Sequence, residues 1–353
     1  MKFGLHYQLP CYGGQSPVQR YRDTLEQSVH AEALGFESVW PVEQHFNADL
    51  SITPAPLLLL AALAERTQTL RLGIAIVLLP LSHPLRIAEE IATLDILSNG
   101  RVEFGVGRGA IPTHFAGFGV PQAESRERFV EALEVIVKAW TNERVSHDGR
   151  FFKVDNLSVV PKPVQKPHPP VRAAANSVET FEHMGRMGLP IFVATPINPF
   201  AKLKETLPIY REARAAAGHP DNGGEDVTLA LPLFVDESRT HIRPVVEPSI
   251  NHYLQTVAAI YRSAVERSET VAANLPERVQ RFGHTSYEQA CESMAIFDTP
   301  EASVERLQHA AEEFNVGRII CWFNIGGMIP HLQVMRSMEL FAIKVMPHFR
   351  RDT

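Results

Sequence analysis

A (β/α)8 barrel with insertions is the fold class this sequence predicts, on three observations. Short apolar strands alternate with longer amphipathic segments, and eight strand–helix units can be counted. The strands read as near-continuous apolar runs, the pattern of a parallel sheet covered on both faces. The length of 353 residues suits one barrel, which runs from about 250 residues upward as insertions are added. A guide of about 150 residues per domain would also allow two domains, and a doubly wound open sheet is the other arrangement of the same units. The reading adopted is one barrel domain over residues 1–353.

Taken in order, Lys2–Tyr7 is the first strand. Ser16-Pro17 reads as an N-cap with proline at the first helical position, and Gly35 closes that helix. Glu37–Pro41 is the second strand. The helix Ala55–Ala64 is apolar nearly all round, so more than its barrel side must be covered; it predicts a subunit interface and hence a homodimer. Leu70–Leu79 is the third strand, Pro84–Leu97 a helix, Asn99-Gly100 a turn, and Arg101–Val106 the fourth strand. In Gln122–Trp140, one stripe holds Phe129, Leu133, Ile136, Val137 and Trp140, as an amphipathic helix requires. Residues 141–169, with Asp148-Gly149 and a run of prolines, read as a hairpin and rigid connection inserted in the barrel.

The alternation then resumes with strand Val171–Ala175, helix Ser177–Met187, strand Pro190–Ala194, helix Pro199–Ala217 and strand Val227–Val235. Helices follow to about residue 266. The polar stretch 267–296 reads as a long excursion. Thr299-Pro300-Glu301 starts a helix to Phe314, Arg318–Phe323 is the last strand and His331–Met346 the last helix.

Composition narrows the function. With 45% hydrophobic and 21% charged residues the chain is globular rather than disordered. A net charge of −6 lacks the basic excess of a nucleic-acid binder. The three cysteines, Cys11, Cys291 and Cys321, are far apart and form no C-x-x-C, so no zinc ribbon or redox dithiol is expected. The low, odd cysteine count fits a reducing compartment. The N-terminus is too short and polar for a secretory segment, and the longest apolar run falls short of the ~20 residues that span a bilayer. A cytoplasmic protein with no membrane partner is predicted.

In a barrel, chemistry gathers where strands end and loops begin. Gly105-Val106-Gly107-Arg108-Gly109-Ala110 follows a strand, but Ile111-Pro112 interrupts any immediate helix, so the dinucleotide fingerprint is rejected. What stands is a glycine-rich loop carrying Arg108. Arg126 lies in the first turns of the next helix. Asn176-Ser177-Val178-Glu179-Thr180 ends the fifth strand and opens its helix. Ser177 alone would be a helix cap. Two arginines with Ser177 and Thr180 at a helix N-terminus also match a phosphate monoester. His45, in Glu43-Gln44-His45-Phe46 after the second strand, is the candidate catalytic histidine. No H-E-x-x-H, H-x-H, G-x-S-x-G or Walker loop is present, so a metal site, a serine nucleophile and a P-loop are not expected.

These residues resemble the bacterial-luciferase-like flavin-dependent monooxygenases, over nearly the whole chain. The resemblance rests on A-x-x-x-G-F-x-x-V-W (Ala31 to Trp40), E-Q-H-F (Glu43 to Phe46) and H-P-x-R-x-A-E from His83. It continues through S-N-G-R-V-E-F-G-V-G-R-G (Ser98 to Gly109), Phe118 to Arg126, and A-N-S-x-E-T (Ala175 to Thr180). It closes with D-T-P-E, F-N-I-G-G (Phe323 to Gly327) and R-S-M-E-L-F-A-x-x-V-M-P (Arg336 to Pro347). The order and spacing of these pieces carry it.

The resemblance implies a (β/α)8 barrel that takes reduced FMN from a separate flavin reductase. It further implies reaction of that FMN with O2 to a flavin C4a-hydroperoxide, which oxidises a small organic substrate. It implies that Arg108, Arg126, Ser177 and Thr180 hold the flavin phosphate, with Asn176 near the ring or ribityl chain. A non-prolyl cis bond at Ala75–Ile76 would lie beneath the ring, with Ala75 supporting it. His6 and Asn324 would line the substrate pocket, and 267–296 would be a mobile active-site loop. Relatives pair through the helices after the second and third strands.

Two departures matter. Light-emitting members have two adjacent histidines where this chain has Gln44-His45, and a cysteine where it has Gly107. Glutamine exchanges hydrogen bonds but does not transfer protons near neutral pH. The sequence is therefore similar to the non-luminescent branch, with His45 and Gln44 as the groups that polarise substrate or oxidant. Hydride transfer with the deazaflavin F420, and FMN binding without turnover, are the alternative readings.

Overall fold

A computed structural model describes residues 1–267 and 275–349. Eight parallel strands close into a barrel. In order around it they are Lys2–Tyr7, Ser38–Pro41, a third strand in two pieces (Arg71–Gly73 and Val77–Leu78), Val102–Gly107, Val171–Ala174, Ile191–Ala194, Val227–Val235 and Arg318–Trp322. The last strand pairs with the first, Lys2 opposite Arg318 and Leu5 opposite Cys321, and this pairing closes the ring. Helices surround it. The near-continuous apolar strands are thus buried on both faces, as parallel strands must be.

Local signals set the helix ends. Ser16 accepts the Gln19 N–H, Pro17 opens the first helix, and Gly35 ends that helix in the left-handed region at φ 86°. Pro84–Leu97 forms as expected. The insertion is the predicted hairpin, Val145–Asp148 against Lys153–Leu157, antiparallel.

One expectation is corrected and two segments gain structure. The third strand is not continuous: its pieces part at Ile74–Ile76. Gly105 on the fourth strand makes room there, because a Cβ on it would overlap the Ile74 carbonyl oxygen. The segment after Arg108 contains a short helix, Pro112–Gly117, that buries His114 and Phe115. The stretch expected as a mobile loop at 267–296 holds helices Leu275–His284 and Tyr287–Ser293, then a strand, Ile296–Asp298, that extends the pairing of the seventh barrel strand. Its residues 268–274 lie outside the described residues. The helix 275–284 was hidden because its burial falls on few apolar residues; Phe282 inserts against Tyr253 and Tyr261 of the long helix Arg239–Arg267.

The barrel interior is layered. At its N-terminal end Glu103, only 2% exposed, receives three arginines: Arg71 Nε at 2.7 Å, Arg172 Nε at 3.2 Å and Arg318 Nη1. Burial works to raise the Glu103 pKa, but Arg318, Arg172 and Arg71 outweigh it and hold the carboxyl down at about 2. Further along, Trp40, Ala75, Phe192, Ala230 and Ile320 form a separate apolar layer. The Trp40 indole fits because Gly73 has no Cβ to meet it, and its Nε1 donates to Ser38 Oγ at 2.9 Å. Among the described residues no helix is long and apolar enough to cross a membrane.

Candidate active site

The C-terminal ends of the strands bring most of the expected residues into two groups. The first is a cradle of positive charge and hydroxyls. Arg108 follows directly on the fourth strand, and Gly109 turns the chain at φ 78°. Burial lowers the Arg108 pKa, and the like charge of Arg126 lowers it further. Glu179 is the carboxylate that both arginines act on; its own backbone N–H, the Ser177 hydroxyl and the two guanidiniums hold it in the charged form. Ser177 is the N-cap of helix Val178–Arg186 in extended conformation, yet its side chain does not cap the helix. Its Oγ instead meets Thr180 Oγ1 at 3.0 Å. Two guanidiniums, two hydroxyls and a helix N-terminus in one place suit a phosphate dianion.

Asn176 connects this cradle to the next strand. Its Oδ1 accepts from Asn198 Nδ2 at 3.3 Å, and its backbone carbonyl accepts from Lys202 Nζ at 2.8 Å. Ala75 lies in the apolar interior layer beside Trp40 and Phe192. The Ala75–Ile76 peptide bond is cis, and the Ala75 N–H donates to the Pro41 carbonyl at 2.9 Å. Ala75 is thus a small side chain within the apolar layer, at the break between the two pieces of the third strand.

The second group surrounds His45. Its Nε2 lies 2.9 Å from Glu43 Oε1, and Glu43 Oε2 accepts the Leu78 N–H at 2.9 Å. Phe118 packs edge-on against the imidazole with centroids 4.8 Å apart. His114 approaches from the short helix, its Nε2 accepting the His45 backbone N–H at 3.4 Å. Burial, then the neighbouring His45, bring the His114 pKa down to about 4, so His114 is neutral near pH 7 and carries its proton on Nδ1. The Gln44 backbone N–H donates to the Thr53 carbonyl, while its buried Oε1 has no protein partner.

Two further residues sit elsewhere in the barrel. His6 is buried among Trp322 and Phe192; burial brings its pKa down to about 3, against a smaller opposing effect of the Trp40 backbone. Asn324 uses both ends of its amide on Ile329, accepting its N–H at 3.0 Å and donating to its carbonyl at 3.1 Å. It braces its own loop.

Sequence reasoning assigned no role to Glu43 or His114. The E-x-H spacing could have pointed to Glu43, since residues two apart on extended chain share a side. His114 carried no local signal. Beside Phe46, the chain neighbour of His45, opens a cavity of about 640 Å3, bounded also by Asp49, Ile111, Pro112, His252 and Gln255; His45 itself does not line it. Its mixed lining and size suit a small organic molecule.

A family model described as luciferase-like monooxygenase matches residues 1–315. The uncharacterized protein y4vJ of Sinorhizobium fredii (strain NBRC 101917 / NGR234) is 37% identical, over 96% of this chain and 94% of its own. The alkanal monooxygenase alpha chain of the Kryptophanaron alfredi symbiont is 27% identical, over 100% of this chain and 99% of its own. The oxygenase component of the flavin-dependent trigonelline monooxygenase of Acinetobacter baylyi (strain ATCC 33305 / BD413 / ADP1) is 25% identical, over 95% and 91% respectively. Among solved structures, the monooxygenase RslO1 from Streptomyces bottropensis superposes with a TM-score of 0.82 at 28% identity, covering 99% of this chain and 100% of that one. An F420-dependent secondary alcohol dehydrogenase shares the fold, with a TM-score of 0.77 at 19% identity over 99% of both chains.

Proposed function

This chain belongs to the luciferase-like monooxygenase family, and from that premise we propose that it is the oxygenase of a two-component system. It binds reduced FMN delivered by a separate flavin reductase and uses O2 to oxygenate a small organic substrate. The single observation that carries the cofactor is the cradle of Arg108, Arg126, Ser177 and Thr180. The Ser177 hydroxyl does not cap the backbone of its helix, and Ala75 and the interior apolar layer would supply a floor for the ring. These residues fit a flavin mononucleotide.

Bound reduced flavin supplies two electrons to dioxygen; one oxygen atom goes to the substrate and the other leaves as water. The chain contributes position and exclusion of water. Arg108 and Arg126 neutralise the phosphate and fix the cofactor along the strand ends. Asn176, next to Ser177 in the chain, would border the ring or ribityl chain. Glu43 fixes the His45 ring by its Nε2 edge, leaving Nδ1 to face substrate or oxidant. Gln44 offers its unpartnered Oε1 as an acceptor. Phe118 and Phe46 pack against the His45 ring, and a water-poor site protects a reactive oxidant.

The test is anaerobic calorimetry with reduced FMN, oxidised FMN and F420, on the protein and on Arg108→Ala. The expected result is preference for reduced FMN, weakened about tenfold or more in the variant as a charge-assisted phosphate contact is lost. Preference for F420 would move the assignment to hydride transfer. Tight binding of oxidised FMN without oxygen-dependent turnover would make the protein a flavin carrier.

A further inference from the structure

Asn176 stands between two groups of cations. Arg108 and Arg126 lie on one side. On the other, Lys202 comes from the helix Phe200–Ala216, and Arg278 and Arg281 from the helix Leu275–His284. The two arginines are three residues apart, so they share a helix face. Lys202 Nζ donates to the Asn176 carbonyl at 2.8 Å. Arg281 Nη2 donates to the carbonyls of Pro196 at 3.2 Å and Ile197 at 3.3 Å, on the loop that leads into the Lys202 helix. Its Nε is buried without a partner. Arg278 Nη1 donates to the Tyr261 hydroxyl at 3.2 Å.

Every one of these partners is a neutral oxygen. None of the three cations forms an ion pair among the described residues. The carboxylates that act on Lys202, Glu277 and Glu179, are both exposed. Burial, then Arg278 and Arg281, push the Lys202 pKa down to about 8. Like charges held together in a half-buried place are relieved by an anion between them. The first cradle already matches the charge of one phosphate monoester, and Glu179 acts both on that cradle and on Lys202. The second group is thus left for a different anion.

We propose that Lys202, Arg278 and Arg281 form a second oxyanion subsite that takes the carboxylate or phosphate group of the organic substrate. The subsite stands on its own geometry; its assignment to the substrate rests on the flavin-oxygenase reading. The substrates it selects are small molecules whose acid group anchors them while the oxidisable carbon reaches the ring.

Equilibrium dialysis with labelled inorganic phosphate on the flavin-free full chain tests this. The expected result is two phosphates bound by the protein and one by Arg108→Ala. The variant carrying Lys202→Gln and Arg281→Gln binds one, with its FMN affinity unchanged. Lys202→Arg, which keeps the charge, retains both and controls for folding. One phosphate in the unaltered protein, lost in Arg108→Ala, overturns this inference and leaves the flavin cradle intact. One phosphate lost only in the double variant does the reverse. On the FMN-loaded protein one phosphate should still bind. None bound there would mean that FMN covers both subsites, which overturns the assignment to substrate.

Discussion

Glu43 grips His45 through one carboxylate oxygen, 2.9 Å from Nε2, while its other oxygen takes the Leu78 N–H at the end of the divided third strand. One side chain therefore ties the imidazole to the strand beneath the expected ring position. Glu43→Ala should lower kcat about tenfold or more, the range seen when an orienting partner of a functional histidine is removed, while leaving the affinity for reduced FMN unchanged. Glu43→Gln, which keeps one acceptor, should recover part of the loss. Stopped-flow turnover beside anaerobic calorimetry separates the two effects; equal losses in kcat and flavin affinity would make Glu43 a scaffold residue only.

The buried Glu103 predicts how stability responds to acid. Its carboxyl is held at about 2 in the fold, below the ordinary value of about 4. A depressed carboxylate contributes stability that is fully present above its unfolded pKa and lost as pH falls through the folded one. The contribution, about 3 kcal/mol, should therefore be intact at pH 6 and decline from about pH 4 to about pH 2. Glu103→Gln leaves three arginines around a neutral amide. It should destabilise the protein by about 3–5 kcal/mol and flatten this acid limb. Urea midpoints measured across pH check both statements.

Gly105 predicts a steric effect. A methyl group there would overlap a backbone oxygen, the Ile74 carbonyl, rather than a side chain that could swing away. Gly105→Ala should cost about 1–3 kcal/mol, as overpacking does, and should displace the strand segment that carries Ala75. Thermal unfolding and FMN affinity should therefore fall together. Loss of stability with native FMN affinity would show that the displacement stops short of the site.

Leu58 predicts assembly. It is 73% exposed on the apolar helix Pro56–Ala64, beside the half-buried Leu57, Ala61 and Ala62, and a helix apolar nearly all round needs cover beyond its barrel side. The chain should run as a homodimer in light scattering at micromolar concentration, and Leu58→Arg should give the monomer. A monomeric mass for the unaltered chain would remove this interface.

What could be read from sequence was whatever depends on neighbours in the chain. Ser16, Pro17 and Gly35 mark a helix because capping is local, and the structure places that helix between the same residues. Arg108 could be singled out because it follows a strand end, where the barrel rule puts sites; Arg126, in the next helix, is close enough to act on it. The interruption of the third strand was not visible in its apolar run, because its clearance comes from Gly105 on the neighbouring strand. The helix Leu275–His284 does carry a short stripe, Leu275, Val279 and Phe282, which the polar residues around it outweigh; what fixes it is the pocket that Tyr253 and Tyr261 offer to Phe282. The His114 contact with His45 and the Arg281 contacts with Pro196 and Ile197 span 69, 85 and 84 residues. No local pattern could announce them.

Glu103 and Arg108 belong to the same strand and its immediate exit. At the rise of an extended chain they are about 16 Å apart. The carboxylate knotted to three arginines closes one end of the barrel, and the charge that faces a ligand opens the other. Heritable change at the open end therefore never has to pass through the knot. A library randomised over the exposed positions of residues 110–120, with the buried His114 and Phe115 kept, should keep folded members at high frequency while their substrate preferences drift, which makes this barrel an evolvable one.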